Sequence, residues 1–242
     1  MSEKIPSVTG VLRNHMINVP EIINTASGIL VFGKLIKSIA FTTDVAIVRN
    51  INANAIIAVY PFTPQPSITH AIMSTAEMPV FCGVGGGTTG GKRVVSLAED
   101  AEYRGAIGVV VNAPTPDETI RRLKDVLEIP IVVTVVIQYT DITARLDAGA
   151  TILNVSGAAN TVKIVRSIRE QYPDIPIIAT GGNTEEKIKM TIDAGANAIT
   201  YTPPTTAELF RRLMEKYRNE CLEARAPVIN SENSLDRGNE II

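Results

Sequence analysis

The apolar positions of this chain follow two alternating rhythms. Short continuous runs of β-branched and small residues are each followed by a stretch in which apolar residues recur at three- and four-residue spacing. The runs are Lys37 to Thr42, Ala55 to Tyr60, Pro79 to Val84, Ala106 to Val111, Pro130 to Val136, Thr151 to Val155, Pro176 to Thr180 and Asn197 to Tyr201. Helical patterns follow them: through about Asn52, to Ala76, from Lys92 to Arg104, from Pro116 to Leu127, through Leu146, from Thr161 to Tyr172, from an N-cap at Asn183 to a stop at Gly195, and from Thr206 to Ala224. Runs that are apolar throughout suit strands covered on both faces. Strands alternating with helices pair in parallel through right-handed crossovers. Eight such units predict an α/β fold of the (β/α)8 TIM barrel type. The rival, an open doubly wound sheet, usually holds about five or six strands.

Local punctuation strengthens this count. Proline opens the third, fifth and seventh runs, where a missing N–H is tolerated. The phrase Asp-Ala-Gly-Ala recurs at 147–150 and 193–196, each time ending a helix just before a strand. Ahead of the repeat, Pro20-Glu21 reads as a helix start, and Ile22, Ile23, Ala26, Ile29 and Leu30 form a helical stripe ending near Gly33. This predicts an extra N-terminal helix closing the bottom of the barrel. The expected organisation is an N-terminal segment with that capping helix over 1–34, the barrel over 35–224 and a polar C-terminal tail over 225–242.

Composition narrows the function classes. Apolar residues make up 45% of the 242 positions, enough for one large core, and Trp is absent, so that core is aliphatic. A formal charge of −2 with no basic stripe argues against nucleic acid. The two cysteines, Cys82 and Cys221, match neither a disulfide framework nor a metal knuckle, which suits a reducing compartment. No apolar run is long enough to span a membrane, and the first residues lack a signal-peptide core. The expectation is a cytoplasmic homo-oligomer whose partner is a small molecule, with no nucleic acid, no membrane, no cofactor and no metal.

In a (β/α)8 barrel the ligand meets the C-terminal strand ends. The residues expected there include few acid–base groups. Asp44 is the one carboxylate, and it doubles as an N-cap for the next helix. Asn112, Thr134 and Asn154 could orient a substrate. No strand carries the lysine that Schiff-base chemistry needs. Cys82 would be a nucleophile only beside a base; otherwise it is a small buried apolar residue. His15 and His70 fall off the expected rim. Gly86 to Lys92 fits G-x-x-x-x-G-K, a near miss to the nucleotide-binding P-loop, with Arg93 where a magnesium-binding hydroxyl would stand. The alternatives are a glycine lid, in which Gly86, Gly87, Thr88 and Thr89 close on an anion and Lys92 adds charge, and a long solvent loop with no ligand role. The last two strand-to-helix loops are a common phosphate site. Gly181, Gly182, Asn183, Thr202 and Thr205 are the candidates to hold it.

IPIIATGG at 175–182 and DAGANAIT at 193–200 together resemble the ribulose-phosphate-binding group of (β/α)8 barrels. That resemblance implies a phosphorylated small-molecule ligand and, across the group's epimerases, isomerases, aldolases and synthases, no single reaction. AGANAITYTPPTTAELF at 194–210 is also similar to the end of the glycerol-3-phosphate-responsive antiterminators, regulators built on the same barrel. The expected function is a lyase or isomerase acting on a phosphorylated metabolite. The alternatives are a non-catalytic sensor of such a metabolite and, last, a nucleotide hydrolase using the near P-loop.

Overall fold

The computed structural model describes the backbone of residues 16–232 and the side chains of residues 16–223. His15 and the end of the predicted tail lie outside the described residues. The chain divides into two compact units between Pro203 and Pro204.

The first unit begins with a two-stranded hairpin, β1 (Ile29–Val31) and β2 (Lys34–Ile36). Eight strands follow: β3 (Ser38–Phe41), β4 (Ala55–Ala58), β5 (Val80–Gly85), β6 (Gly108–Val111), β7 (Ile131–Val135), β8 (Ile152–Val155), β9 (Ile177–Thr180) and β10 (Ala198–Tyr201). They close into a barrel in the order β10-β3-β4-β5-β6-β7-β8-β9, every pair parallel. Between them run α1 (Val45–Arg49), α2 (Pro66–Thr75), α3 (Lys92–Tyr103), α4 (Asp117–Val126), α5 (Ile142–Ala148), α6 (Thr161–Gln171) and α7 (Glu185–Asp193). The fold is the (β/α)8 TIM barrel that the alternating pattern predicts. The second unit contains α8 (Thr206–Glu232), whose helical backbone continues past Ala224 into the segment expected to be a tail. Among the described residues, no helix is long and apolar enough to cross a membrane.

The punctuation has a structural account. Pro79, Pro130 and Pro176 each precede a strand by one residue, and their carbonyls accept the amides of Ile56, Val109 and Leu153 at 2.9, 2.9 and 3.0 Å. The ladder starts on a carbonyl, so the absent N–H costs nothing. Both Asp-Ala-Gly-Ala phrases close their helices with the same pair of back-bonds. Gly149 N–H donates to Leu146 O and Ala150 N–H to Arg145 O at 2.9 and 3.0 Å. Gly195 N–H donates to Ile192 O and Ala196 N–H to Thr191 O at 2.9 and 3.3 Å.

Alternate strand residues build two apolar layers. Ile39, Ile57, Phe81, Val110, Val132, Ile152 and Ile178 fill the barrel interior, while Ile56, Val109, Val133, Leu153, Ile177 and Ile199 pack outward. The hairpin contributes Ile29, Val31 and Ile36 to the interior cluster. Here the structure corrects the expected N-terminal helix over 20–33. Glu21–Thr25 forms a 3-10 turn and the next residues form the hairpin. Phe32 and Gly33, at φ 45° and 77°, supply a two-residue turn of left-handed residues, which matches strand twist and breaks a helix. The bottom of the barrel is therefore closed by a hairpin.

Candidate functional site

At the C-terminal ends of β4, β5 and β6 lies a cavity of about 210 Å³, walled chiefly by Tyr60, Phe62, Gly86, Thr88, Thr89 and Asn112. The glycine loop between β5 and α3 forms one side of it. The root of that loop is pinned. Gly86 N–H donates to Thr89 O at 2.9 Å, Asn112 Nδ2 to Gly86 O at 3.1 Å, and Asn112 N–H to Gly85 O at 3.0 Å. The buried Thr89 hydroxyl bonds that of Thr63 at 3.2 Å. Gly87, Thr88, Gly90, Gly91 and Lys92 are exposed and form the free rim. Asn112, expected as a substrate-orienting residue, is placed against the loop that bounds the cavity.

Close packing explains why glycine occupies position 86. Its φ is +94°, and a Cβ there would come within 2.4 Å of Thr115 Oγ1 and 2.8 Å of the Asn112 nitrogen. Thr115 is buried and its hydroxyl has no partner among protein atoms. Arg145 holds the segment carrying Thr115, donating to the carbonyls of Ala113 and Thr115 and pairing with Asp117 Oδ1 at 2.7 Å. Sequence reasoning missed Thr115; only its place three residues after Asn112 hinted at it.

Three helix N-termini differ in electrostatic state. The first turn of α3 has no side-chain cap and no acid, and it opens with Lys92 and Arg93. Free amides, the helix dipole and two cations together favour an anion there. The starts of α7 and α8 carry their own carboxylates. On α7 the N-cap is Thr184, whose hydroxyl accepts from Lys187 N–H at 3.3 Å. This corrects the expected cap at Asn183: Gly182, at φ +82°, adds a residue to the turn and moves the helix start along by one. The Glu186 carboxyl is held below its usual range by its own backbone N–H and then by the Thr184 hydroxyl. On α8, Thr205 and Glu208 form a capping box. Glu208 accepts from Thr205 N–H and Oγ1 at 2.8 and 3.0 Å, and its carboxyl is likewise lowered, first by that amide.

Three of the five expected phosphate residues have other engagements. Gly181 N–H donates to Thr200 O at 3.4 Å, and its Cα faces Ile199 and Ile188. Asn183 Oδ1 accepts from Lys187 Nζ at 3.2 Å. Gly182 and Thr202 are exposed, and Thr205 belongs to the second unit, where Glu208 engages it.

Acid–base chemistry is sparse at the strand ends. Asp44 Oδ1 caps α1, accepting from Ala46 and Ile47 N–H at 2.9 and 3.3 Å. His70 is exposed within α2. Cys82 faces the outer apolar layer 3.9 Å from the Met73 sulfur, and burial, with Asp100 adding, pushes its thiol up to about 12. It is a packing residue. At mildly alkaline pH a thiol reagent is expected to modify exposed Cys221 and spare Cys82 until denaturant is added. Peptide mass analysis checks this, and fast native labelling of Cys82 would contradict it.

Neutral groups mark the adjoining arc of the mouth. Asn154 Nδ2 donates to Thr134 Oγ1, and Thr180 Oγ1 to Ser156 Oγ, each at 3.3 Å. Thr200 is buried and its hydroxyl has no protein partner. Among the described residues, no group of three or more His, Cys, Asp or Glu side chains could hold a metal ion.

No family model matches the chain, and no curated protein matches it. Solved structures are similar to it in fold. Phosphonopyruvate hydrolase in complex with oxalate and magnesium shares 12% identity at a TM-score of 0.57, over 88% of this chain and 89% of that one. Phosphoenolpyruvate phosphomutase from Streptomyces platensis subsp. rosaceus shares 12% at 0.56, over 90% of each. A monomeric dihydrodipicolinate synthase variant shares 17% at 0.52, over 80% of each. At such identities the likeness is one of fold, and none of the three is described as a ribulose-phosphate-binding barrel.

Proposed function

We propose that this barrel binds a small phosphorylated metabolite in the cavity at the ends of β4, β5 and β6 and acts on it in the lyase or isomerase range. The observation that carries the reading is a small cavity beside a glycine loop that leads into a helix start free of acid and rich in cation. A volume of about 210 Å³ is below the ~300 Å³ at which drug-sized pockets begin, so it suits a compact metabolite. The phosphate oxygens would take amides from Gly87 to Arg93, with Lys92 adding charge, and Asn112 would keep the loop in place. Two similar barrels are named for phosphonopyruvate and phosphoenolpyruvate, small phosphorus-bearing acids, which accords with this class. The ribulose-phosphate resemblance in the last quarter implies the same class of ligand, although it would place the phosphate at the loops after β9 and β10.

A second reading, a sensor without catalysis, is favoured by one observation. Among the described residues, Tyr60 is the sole titratable side chain on the cavity wall, and its hydroxyl already accepts from Gln65 N–H at 2.8 Å. Thermal melts against sugar phosphates, glycerol phosphate, phosphoenolpyruvate, inorganic phosphate and magnesium nucleotides test the binding claim. Stabilisation by a phosphorylated metabolite that Lys92→Ala weakens supports it. No stabilisation by any of the compounds, or stabilisation by magnesium nucleotide alone, overturns it. Phosphorus NMR of the stabilising compound with protein then separates turnover from sensing, and turnover unchanged in Asp44→Asn removes Asp44 as acid–base group.

A further inference from the structure

The cavity beside the glycine loop occupies one half of the barrel mouth, and the other half is built differently. Val59, Gly83 and Asn112, which line the cavity, are inward positions, because their strand neighbours Ala58, Cys82 and Val111 pack in the outer layer. The same alternation turns Thr134, Asn154, Ser156, Thr180 and Thr200 inward across β7 to β10, since Val135, Val155, Ala179 and Ile199 pack outward. Strand register seats Thr134 beside Asn154 and Thr180 beside Thr200. All five are neutral, and no residue of β3 to β10 is charged.

We propose, resting on the reading of the glycine loop as the phosphate site, that this arc holds the other end of the ligand and that this end is an uncharged, hydroxylated carbon chain. The ligand is then a polyol or sugar phosphate and not a phosphorylated carboxylic acid. Hydrogen-bonding capacity selects that chemistry. Asn154 Nδ2 donates to Thr134 Oγ1, and Thr180 Oγ1 to Ser156 Oγ, each at 3.3 Å. Those bonds leave Asn154 its carbonyl acceptor and a second N–H, and leave the Thr134 and Ser156 hydroxyls free to donate. The arc therefore presents donors and acceptors together. A ligand hydroxyl both donates and accepts, so it satisfies such a surface. A carboxylate only accepts, and it would face the Asn154 oxygen with no strand cation to offset the repulsion. A second observation marks the same arc. Thr200 is 7% exposed, and its Oγ1 has no partner among protein atoms. Burying an unpaired hydroxyl is costly. Among the described residues the other such hydroxyl is that of Thr115, behind the glycine loop, so one stands at each half of the mouth. A ligand hydroxyl over the arc, or a water held beneath it, offsets the cost at Thr200.

The test is calorimetric titration of the full chain with ribose 5-phosphate, glycerol phosphate, phosphoenolpyruvate and inorganic phosphate. The two hydroxylated phosphates are expected to bind about tenfold or more tighter than the other two. Thr180→Val and Asn154→Leu are expected to remove that preference while leaving the affinity for inorganic phosphate unchanged. Thr180→Ser, which keeps the hydroxyl, is expected to retain it. Melting curves check that each variant is folded, and Thr134→Val takes the place of one that is not. Phosphoenolpyruvate binding as tightly as ribose 5-phosphate, or a preference indifferent to the substitutions, would overturn the proposal and leave the phosphate site standing. If no phosphate compound binds, saturation-transfer NMR with ribitol decides. A ribitol signal on wild type that Thr180→Val loses supports the arc and sinks the phosphate reading alone. No ribitol signal, or one that the variants keep, overturns the arc as well.

Discussion

Gly86→Ala is expected to weaken binding of any stabilising phosphate compound by about tenfold or more and to lower the melting temperature by several degrees. Two costs add at this position. A φ of +94° is strained for an L side chain, by about 1–2 kcal/mol. The new Cβ also meets Thr115 Oγ1 at 2.4 Å and the Asn112 nitrogen at 2.8 Å. Neither neighbour yields readily: Thr115 is 2% exposed, and Arg145 ties its segment to α5. The glycine loop must therefore move, losing the Asn112 bond and displacing Thr88 and Thr89 from the cavity wall. Gly87→Ala is the control. Its φ is +93°, but a Cβ there meets nothing within 4 Å, so it carries the conformational cost alone. Calorimetric titration of both variants checks the expectation, and equal affinities in Gly86→Ala and wild type would exclude the loop from the site.

The barrel was legible because its signals are local and repeat. Each strand is a short apolar run, most of them with proline or glycine close to one end, and each boundary proved to lie within two residues of the expected one. The N-terminal hairpin was not legible, because Ile22, Ile23, Ala26, Ile29 and Leu30 satisfy a helical period by coincidence. Only the Phe32-Gly33 turn, a weaker signal than Asn-Gly, betrays two strands. The candidate site was legible in part. Asn112 and the glycine loop were marked, and they meet at one cavity. What sequence could not rank was which helix start is electrostatically open. That ranking depends on whether Glu186 and Glu208 fold back onto their own caps, a matter of rotamer and turn geometry. Thr184, one residue beyond the expected cap, and the Thr205–Glu208 box decide it.

Gly181→Val is expected to destabilise the barrel by about 2–3 kcal/mol while leaving the affinity of the folded protein for a phosphate compound unchanged. In a phosphate loop a glycine lets backbone amides approach the anion, so its loss should abolish binding. The surroundings of Gly181 indicate another reason for the small residue. A Cβ there lies 2.6 Å from Ile199 Cγ2 and 2.9 Å from Ile188 Cγ1, so α7 seats directly on β10 through this position. Both isoleucines are at most 2% exposed, leaving no room to turn aside. The amide of Gly181 is already spent on Thr200 O, and the carboxylate of Glu186 sits at the α7 start. A phosphate dianion would have to displace that carboxylate against like charge. Chemical denaturation of Gly181→Val, with calorimetric titration under conditions where it is folded, separates the two roles. Near-wild-type stability with lost binding would return the phosphate to the loop after β9, whereas lost stability with retained binding keeps it at the glycine loop before α3.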